Sequence, residues 1–139
     1  MASKKQLVES LATVPLFSRC TKRDLRIMAR HLEPVTVEAG TKVVTQGEAG
    51  ETFFLVLSGE LAVEQDGERT AVLAPGDHFG ELALLDPAPR SATVVALSDA
   101  ELGALSVRMF RVVLRDLPQI AAGMLALLAA QLREARRSE

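Results

Sequence analysis

The hydrophobic pattern of this chain changes its period at Pro34 and changes back after Ser106. Between these points apolar residues recur at every second position in short runs, which glycine, proline or acidic turns separate. The runs are Val35–Val37, Lys42–Thr45, Phe53–Leu57, Leu61–Glu64, Thr70–Leu73, Ala92–Ala96 and Glu101–Leu105. Asp66-Gly67 predicts a tight hairpin, because glycine accepts the positive φ that two-residue loops demand. About seven short strands without long helices between them favour a double-sheet β roll with Greek-key connections.

Helical spacing occurs on both sides of the predicted strands. The segments are Leu7–Ala12, Thr21–Leu32, Val107–Leu114 and a last one from Pro118 to Arg136. Thr21 is placed as an N-cap with Asp24 three residues later, and Pro118 suits a first helical turn. The fold class is therefore mainly β with flanking helices (α+β). With no repeat or linker in the sequence, we expect a single domain over 1–139, with helices at about 4–32, the β roll at about 34–106 and C-terminal helices at about 107–136.

The amino-acid composition limits which classes of protein this chain can belong to. The chain is 48% hydrophobic and 24% charged, which is typical of a globular protein, and five Phe with no Trp or Tyr make the core aliphatic. The net charge of −2 does not favour a polyanionic partner, so no direct nucleic-acid binding is expected, although five cations lie between Arg19 and Arg30. Cys20 is the only cysteine, so it forms no disulfide within the chain, and we expect an inert, buried thiol.

The sequence contains no segment typical of targeting or of membrane insertion. Its first residues, Met-Ala-Ser-Lys-Lys-Gln, lack an apolar signal core. The longest apolar run, Ile120–Ala130, is about half of what a bilayer span requires. Together with the single cysteine, this predicts a cytoplasmic protein without a membrane span.

A stretch of sixteen residues, Phe79–Val94, carries the candidate chemistry. Gly80 lets the backbone approach a ligand, the turn that begins at Glu81 exposes N–H groups at a helix start, and Arg90 supplies a cationic fork for an oxyanion. Core packing does not account for a charged arginine directly before a strand-like run. Prolines one and three residues before Arg90 end the short helix and bias the backbone toward an extended form, which predicts a rigidly aimed side chain.

This stretch resembles the phosphate-binding cassette of cyclic nucleotide-binding domains, as found in protein kinase A regulatory subunits, catabolite activator protein and cyclic nucleotide-gated channels. Glycine, glutamate, proline, arginine and small residues occur in the family's order, and glycines at 40, 47, 50, 59 and 76 continue the spacing upstream. The resemblance covers roughly Val14–Arg136. It implies a jelly-roll barrel (double-stranded β-helix) with N-terminal helices and a C-terminal lid helix. It also implies a cyclic nucleotide as ligand and no cofactor.

The resemblance implies a role for each site residue. Arg90 pairs with the cyclic phosphate, Glu81 accepts a hydrogen bond from the ribose 2′-hydroxyl, and Gly80 permits the approach. Further ligand contacts are implied for Phe79, Leu82, Ala83, Ser91 and Ala92. The backbone N–H groups near the two alanines and Leu82 assist the phosphate. At position 91 the family has alanine with cAMP and often threonine with cGMP, so Ser91 leaves the purine open; we expect cAMP, with cGMP as the alternative.

The segment Ile120–Ala130 is apolar on all sides, so a helix there needs cover on more than one face. By resemblance it is the family's lid helix. One face would lie on the β roll, with Met124, Leu127 or Leu128 capping the nucleotide, and the other would meet a second copy in a homodimer. Packing on the chain's own N-terminal helices is the alternative to the dimer. Binding would swing the segment after Ser106 toward the base, and the effector that receives this signal is not identified.

Two other functions stay open, and enzymatic activity is not expected. The sequence has no nucleophile elbow, Walker loop or GxGxxG motif. The first alternative is a ligand-free interaction domain that kept the fold and works through its last helix. A further alternative for the site itself is that Arg90 and Glu81 pair with each other in an empty pocket. The second is a jelly-roll metalloenzyme with His78 and Glu81 as ligands. Because the other histidine, His31, lies far upstream on a predicted helix, no metal site is expected.

Overall fold

The structure, a computed structural model, describes residues 3–137. Its helices are α1 Lys4–Ala12, α2 Lys22–Arg30, α3 Val107–Asp116 and α4 Pro118–Arg137, with 3₁₀ turns at Pro15–Phe17 and Glu81–Leu84. Its strands are β1 Glu33–Val37, β2 Lys42–Val44, β3 Thr52–Ser58, β4 Leu61–Gln65, β5 Glu68–Leu73, β6 His78–Phe79, β7 Thr93–Ala96 and β8 Ala100–Ser106. Each predicted strand and helical segment is present, with bounds that differ by a few residues.

The strands form two antiparallel sheets of four strands each. Their orders are β1-β8-β3-β6 and β2-β7-β4-β5, so most neighbours in a sheet are distant in sequence. The longest pairing joins β3 and β8, from Thr52 opposite Ser106 to Ser58 opposite Glu101, with an irregularity near its end. Two such sheets with helices at both ends of the chain are the predicted β roll, and the fold class is confirmed.

The short strand β6 is not predicted by the hydrophobic period. It consists of His78 and Phe79 and ends at Gly80, whose φ is 84°. Two residues are too few to show an alternating pattern. Pairing with β3 sets Phe79 opposite Phe54 and His78 opposite Leu55. The start of the candidate site is thereby fixed to the first sheet.

The Asp66-Gly67 turn joins β4 and β5 as predicted. Asp66 has a φ of 53° and Gly67 a φ of 82°, the pair of left-handed conformations that a two-residue hairpin favours. Gln65 faces Glu68 across the turn. Among the described residues Asp66 is the one non-glycine with a positive φ, a conformation that its short polar side chain tolerates.

Two apolar clusters stabilise the fold. The larger joins the N-terminal helices, β3, β8 and the C-terminal helices, and its Phe17 ring lies 5.6 Å from Phe53 and 6.4 Å from Phe110, measured between centroids. The smaller cluster is built on buried aliphatic side chains: Val56, Leu61, Val94, Ala96, Ala100 and Leu102. The helical layer and the β roll therefore share a core, since β3 contributes to both clusters.

Helix α2 begins with the predicted capping box. Thr21 Oγ1 accepts a hydrogen bond from Asp24 N, and Asp24 Oδ2 accepts one from Thr21 N, each at 3.1 Å. The other carboxylate oxygen, Asp24 Oδ1, accepts from Gln119 Nε2 at 3.2 Å. These bonds satisfy a carboxylate that is only 5% exposed. Asp24 thus ties α2 to the start of α4.

Helix α4 packs against the N-terminal part of the chain. It is bent by 106° from α3, with Leu117 between them. Ile120 and Met124 are buried in the larger cluster, beside the Pro15–Phe17 turn. This cluster also contains Phe53, Leu55 and Leu105 of the β roll, so the buried face of α4 is covered by the N-terminal layer and the roll together.

Another face of α4 carries exposed leucines. Leu125 is 68% exposed and Leu132 is 54% exposed, with Leu128 between them. Over residues 3–137 no single helix is long and apolar enough to cross a bilayer; α3 and α4 meet those criteria only when they are taken together as a bent pair. Some apolar side chains of α4 are therefore buried in the core, and others are exposed on the surface.

Candidate functional site

Arg90 lies in a short stretch of backbone pairing between two loops. Its N–H donates to Glu48 O, and Gly47 N–H donates to the Arg90 carbonyl, each at 2.8 Å. Two residues earlier, Gly50 N–H donates to Ala88 O at 3.2 Å. The prolines alone were expected to aim the arginine. These bonds add a second constraint that no local pattern predicts, because the two loops are far apart in sequence.

The guanidinium of Arg90 points into the protein. Its Nη2 donates to the carbonyl of Thr52, at the start of β3, at 2.7 Å. One such bond leaves most of its N–H donors free, and over the described part of the chain no carboxylate forms an ion pair with it. Burial lowers the pKa of Arg90 from its ordinary value, because desolvation disfavours the charged form. A partly buried cation without a carboxylate partner is suited to bind an anionic ligand.

Two glycines leave the space that this guanidinium occupies. A Cβ on Gly50 would overlap Nε of Arg90, and a Cβ on Gly80 would lie 2.5 Å from Nη1. Gly50 is buried and does not have a positive φ, so clearance is the reason for a glycine there. Gly80 is needed for clearance and for its φ of 84°. The position of Arg90 therefore depends on both glycines.

A cleft of about 490 Å³ lies beside the guanidinium, and we call it the Arg90 cleft. Its lining residues are Val43, Val44, Thr45, Glu48, Ala49, Glu51, Thr52, Phe54 and Arg90. Apolar residues of β2 and β3, the carboxylates of Glu48 and Glu51 and the single cation of Arg90 thus border one volume, whose size is typical of small-molecule sites. The lining includes no residue of α4, so the expected caps Met124, Leu127 and Leu128 do not cover this cleft in the structure.

A second cleft, of about 540 Å³, lies between α1 and the Pro75-Gly76 turn. Its charged lining residues are Glu9 and Glu101, and it contains no lysine or arginine. Each of the two clefts is lined by two carboxylates, since Glu48 and Glu51 line the Arg90 cleft. The Arg90 cleft differs in that its lining also includes a cation, which a phosphate needs as a partner.

The segment after Gly80 is a 3₁₀ turn, Glu81–Leu84, and not the start of an α-helix. 3₁₀ helices usually occur as such short pieces, because their hydrogen-bond geometry is poorer than that of an α-helix. The N–H of Ala83 donates to Gly80 O at 3.2 Å, whereas the N–H groups of Leu82 and Ala92 have no acceptor within residues 3–137. Of the three amides that the resemblance implies for phosphate binding, one is used by the turn itself.

Glu81 faces His78 and not Arg90. His78 Nδ1 lies 3.5 Å from Glu81 Oε2, and both side chains are largely buried. The pKa of Glu81 lies below its ordinary value, first because His78 interacts with the carboxylate, while desolvation opposes the shift. The carboxylate is therefore ionised at neutral pH. The alternative in which Arg90 and Glu81 pair with each other is not what the structure has.

The other predicted site residues lie in different surroundings. Phe79 stacks on Phe54, with 5.0 Å between ring centroids, and Phe54 lines the Arg90 cleft. Ala83 is buried. Ser91 and Leu82 are exposed, Leu82 to 66%. Among the described residues Arg90 is thus the one predicted site residue that lines the cleft. Gly80 lies against its guanidinium, Phe79 reaches the cleft only through Phe54, and Leu82 and Ser91 are on the surface.

Three features of the site were missed by sequence reasoning. The carbonyl of Thr52 gives no sequence signal, because every residue has one. The position of Gly50 at the family's spacing was a signal, but its purpose, clearance for Arg90, needs the fold. His78 was considered only as a metal ligand, whereas its closest charged neighbour is a carboxylate.

The metal and thiol expectations concern His78, His31 and Cys20. Within the described residues no group of three or more His, Cys, Asp or Glu side chains is placed to hold a metal ion. His31 Nδ1 lies 2.9 Å from Ile27 O on its own helix. Cys20 is half-buried, whereas a buried thiol was expected. Burial, with a smaller contribution from Asp24, raises the pKa of Cys20 to about 11, so this thiol stays protonated at neutral pH.

An antiparallel β roll with an arginine beside a cleft and two glycines against its guanidinium has the geometry of a small-anion site. The sequence profile of the cyclic nucleotide-binding domain family matches residues 34–116. This is more than half of the chain, which therefore belongs to the cyclic nucleotide-binding domain family. The match covers the strands and α3, a narrower range than the one that the resemblance suggests.

Two curated relatives come from a yeast and a bacterium. A cAMP-dependent protein kinase regulatory subunit of Yarrowia lipolytica is 43% identical over 97 residues, which are 68% of this chain and 26% of that protein. A cyclic AMP receptor protein of Thermus thermophilus is 36% identical over 126 residues, which are 87% of this chain and 58% of that protein. The chain thus spans between about a quarter and three fifths of the length of these relatives.

Solved structures share the fold. The N-terminal domain of a transcriptional regulator from Streptomyces coelicolor A3(2) has a TM-score of 0.82 at 28% identity, over 94% of each chain. The regulatory domain of Toxoplasma gondii PKA, crystallised with cAMP, has a TM-score of 0.70 at 38% identity, over 81% of this chain and 45% of that one. Both likenesses include most of the chain described above.

Substituting Gly50→Ala should displace the Arg90 side chain, because the new methyl group would overlap Nε. We expect the free energy of unfolding to fall by about 1–3 kcal/mol and the NMR signal of Arg90 Nε–H to shift. Gly103→Ala is the matched control, since its Cβ would lie 3.4 Å from Leu32, in near-ordinary contact and away from Arg90. An Arg90 signal that stays unchanged in Gly50→Ala would contradict the clearance argument.

Proposed function

We propose that this chain is a regulatory domain that binds cAMP through Arg90 and acts as a receptor, not as an enzyme. The observation that carries the proposal is the partly buried guanidinium, which has one carbonyl partner and no carboxylate partner among the described residues. The phosphodiester of a cyclic nucleotide has one negative charge, which one guanidinium offsets through charge-assisted hydrogen bonds. Membership of the family supports this assignment of the ligand.

We place the ribose at Glu81, which follows Gly80 in the chain, and the phosphate at Arg90. In the proposed complex Glu81 accepts a hydrogen bond from the 2′-hydroxyl through Oε1, since Oε2 faces His78. The free N–H groups of Leu82 and Ala92 donate to the phosphate oxygens beside Arg90. A phosphate and a hydroxyl would then both be held by the first residues of the same short turn, which fixes the orientation of the sugar.

The preference for cAMP over cGMP is supported by the relatives, since Ser91 leaves the choice of purine open. Both curated relatives have cAMP in their names, and the Toxoplasma gondii structure contains it. The hydroxyl of Ser91 would also serve the 2-amino group of guanine, so cGMP is the second ligand to be measured. We propose the cytoplasm as the place of action, as the sequence predicts.

The test of this function is calorimetry with cAMP and cGMP side by side. The unaltered protein should bind cAMP more tightly than cGMP. Arg90→Ala should weaken cAMP binding by more than about 1.5–3 kcal/mol, or roughly tenfold to more than a hundredfold, because a charged hydrogen bond is lost. Arg69→Ala, which removes an exposed arginine of β5, is the control and should leave the affinity unchanged. An unchanged dissociation constant for Arg90→Ala would refute the assignment.

We infer that binding is transmitted to α4 through the 3₁₀ turn. Leu84 of this turn is buried in the larger cluster with Phe110 and Val113 of α3. A shift of the turn toward the phosphate would therefore push on α3 and, through the bend at Leu117, on α4. The ligand moves this equilibrium only by its differential affinity for the two arrangements.

Amide hydrogen exchange tests the transmission. Saturating cAMP should change the protection of the α4 amides by about tenfold or more, whereas the amides of β5 serve as an internal reference that stays constant. In Arg90→Ala the change should be absent at the same cAMP concentration. If α4 exchanges identically with and without bound cAMP, the helix is not coupled to the site.

We infer further that α4 forms a homodimer. Leu125, Leu128 and Leu132 are exposed and lie three and four residues apart, the spacing of a helix–helix seam. Light scattering at high concentration should give twice the mass of the chain, and Leu125→Asp with Leu132→Asp should give the single mass. Leu97→Asp, at an exposed leucine outside α4, is the control. A monomer at high concentration, with and without cAMP, would exclude the dimer.

A further inference from the structure

His78 has a buried polar atom that the proposed ligand contacts do not use. Its Nδ1 has no hydrogen-bond partner in the described residues. Glu81 Oε2 lies 3.5 Å away, at the outer limit of hydrogen-bond distance. Buried polar atoms in folded proteins are almost always bonded, so an exception requires an explanation. A small movement of the Glu81 side chain would bring Oε2 into hydrogen-bond distance of His78 Nδ1.

The imidazole is held in place independently of Glu81. Pairing of β6 with β3 sets His78 opposite Leu55. Its ring lies against the buried ring of Phe53, with 6.0 Å between centroids and 33° between planes. Gly80, in the left-handed conformation, then turns the chain so that Glu81 comes back to the Nδ1 edge of the ring. The histidine is therefore the fixed partner and the carboxylate is the movable one.

We propose that His78 is a positioning residue, which orients the Glu81 carboxylate toward the ribose 2′-hydroxyl and so selects cyclic ribonucleotides over their 2′-deoxy forms. This inference rests on the proposed function. In the complex Nδ1 carries a proton and donates to Oε2, which leaves Oε1 free to accept the hydroxyl proton of the ligand. His78 itself does not touch the nucleotide.

The charge state of Glu81 agrees with this arrangement. Its pKa lies below the ordinary value, mainly because of the interaction with His78. An ionised carboxylate has acceptor sites on both oxygens, so it can accept from the imidazole and from the ribose at once. A protonated carboxyl group would have to donate one of these bonds instead. The geometry and the charge of the pair therefore favour the same role.

The test compares cAMP with 2′-deoxy-cAMP on three proteins by calorimetry. His78→Phe keeps a ring against Phe53 but loses the donor, and it should weaken cAMP binding by about three- to tenfold while changing 2′-deoxy-cAMP binding by less than about twofold. His78→Asn carries an amide N–H in place of the imidazole N–H and should stay within about twofold of the unaltered protein for both ligands. Selective loss with rescue by asparagine is the expected result.

Other outcomes overturn the inference in distinguishable ways. Equal weakening of both ligands by His78→Phe would show a structural role only, and unchanged cAMP binding would show no role. An unaltered protein that binds neither ligand would overturn the proposed function, and the inference with it, before any variant is measured.

NMR of the imidazole nitrogens tests the same inference on the unaltered protein, even where His78→Phe does not fold. The Nδ1 signal of His78 should shift on addition of cAMP, and less on addition of 2′-deoxy-cAMP, because only cAMP supplies the hydroxyl that draws Glu81 into its proposed position. Equal shifts with both nucleotides would contradict the inference.

Discussion

The site depends on a cation that the protein desolvates in part without supplying a counter-ion. The Arg90 guanidinium is held by one bond to the carbonyl of Thr52 and by the space that Gly50 and Gly80 leave for it. Removing a charge from water is unfavourable unless an opposite charge or further hydrogen bonds replace the solvent. The lowered pKa of this arginine reflects that cost. An anionic ligand beside Arg90 would offset this cost, which is the physical reason for proposing a phosphate.

Strand β3 connects this cation to the rest of the molecule. Its alternating side chains face two environments, as the two-residue period requires. Phe53 packs against Phe17 in the helical layer and against His78, whereas Phe54 stacks on Phe79 and lines the Arg90 cleft. A single rigid strand therefore fixes the arginine, the turn after Gly80 and the packing surface of the helices. This arrangement gives a physical basis for the proposed coupling between ligand and α4.

Much of this architecture follows from local rules that the sequence obeys. The period of two predicts every strand except β6, and the Thr21 and Asp24 capping box and the Asp66-Gly67 hairpin are formed as expected. The position of α4 was not predictable in the same way. A helix that is apolar on all sides must be covered, but the pattern does not say by what, and the core beside Phe17 takes Ile120 and Met124.

The long-range contacts at the site could not be predicted from the sequence either. The order of residues in Phe79–Val94 predicts site roles for Arg90 and Gly80. It does not predict which carbonyl accepts from the arginine or which residue lies beside Glu81. A histidine and a glutamate three residues apart are equally consistent with a metal pair and with a hydrogen-bonded pair. Only the pairing of β6 with β3, which orients the imidazole edge, distinguishes these interpretations.

The most direct measurement of the central claim is a crystal structure of the protein grown with cAMP. The account predicts the cyclic phosphate in the Arg90 cleft, with its oxygens within hydrogen-bond distance of the guanidinium and the ribose 2′-hydroxyl beside Glu81. A nucleotide bound in the cleft between α1 and the Pro75-Gly76 turn, or a phosphate that makes no contact with Arg90, would contradict it.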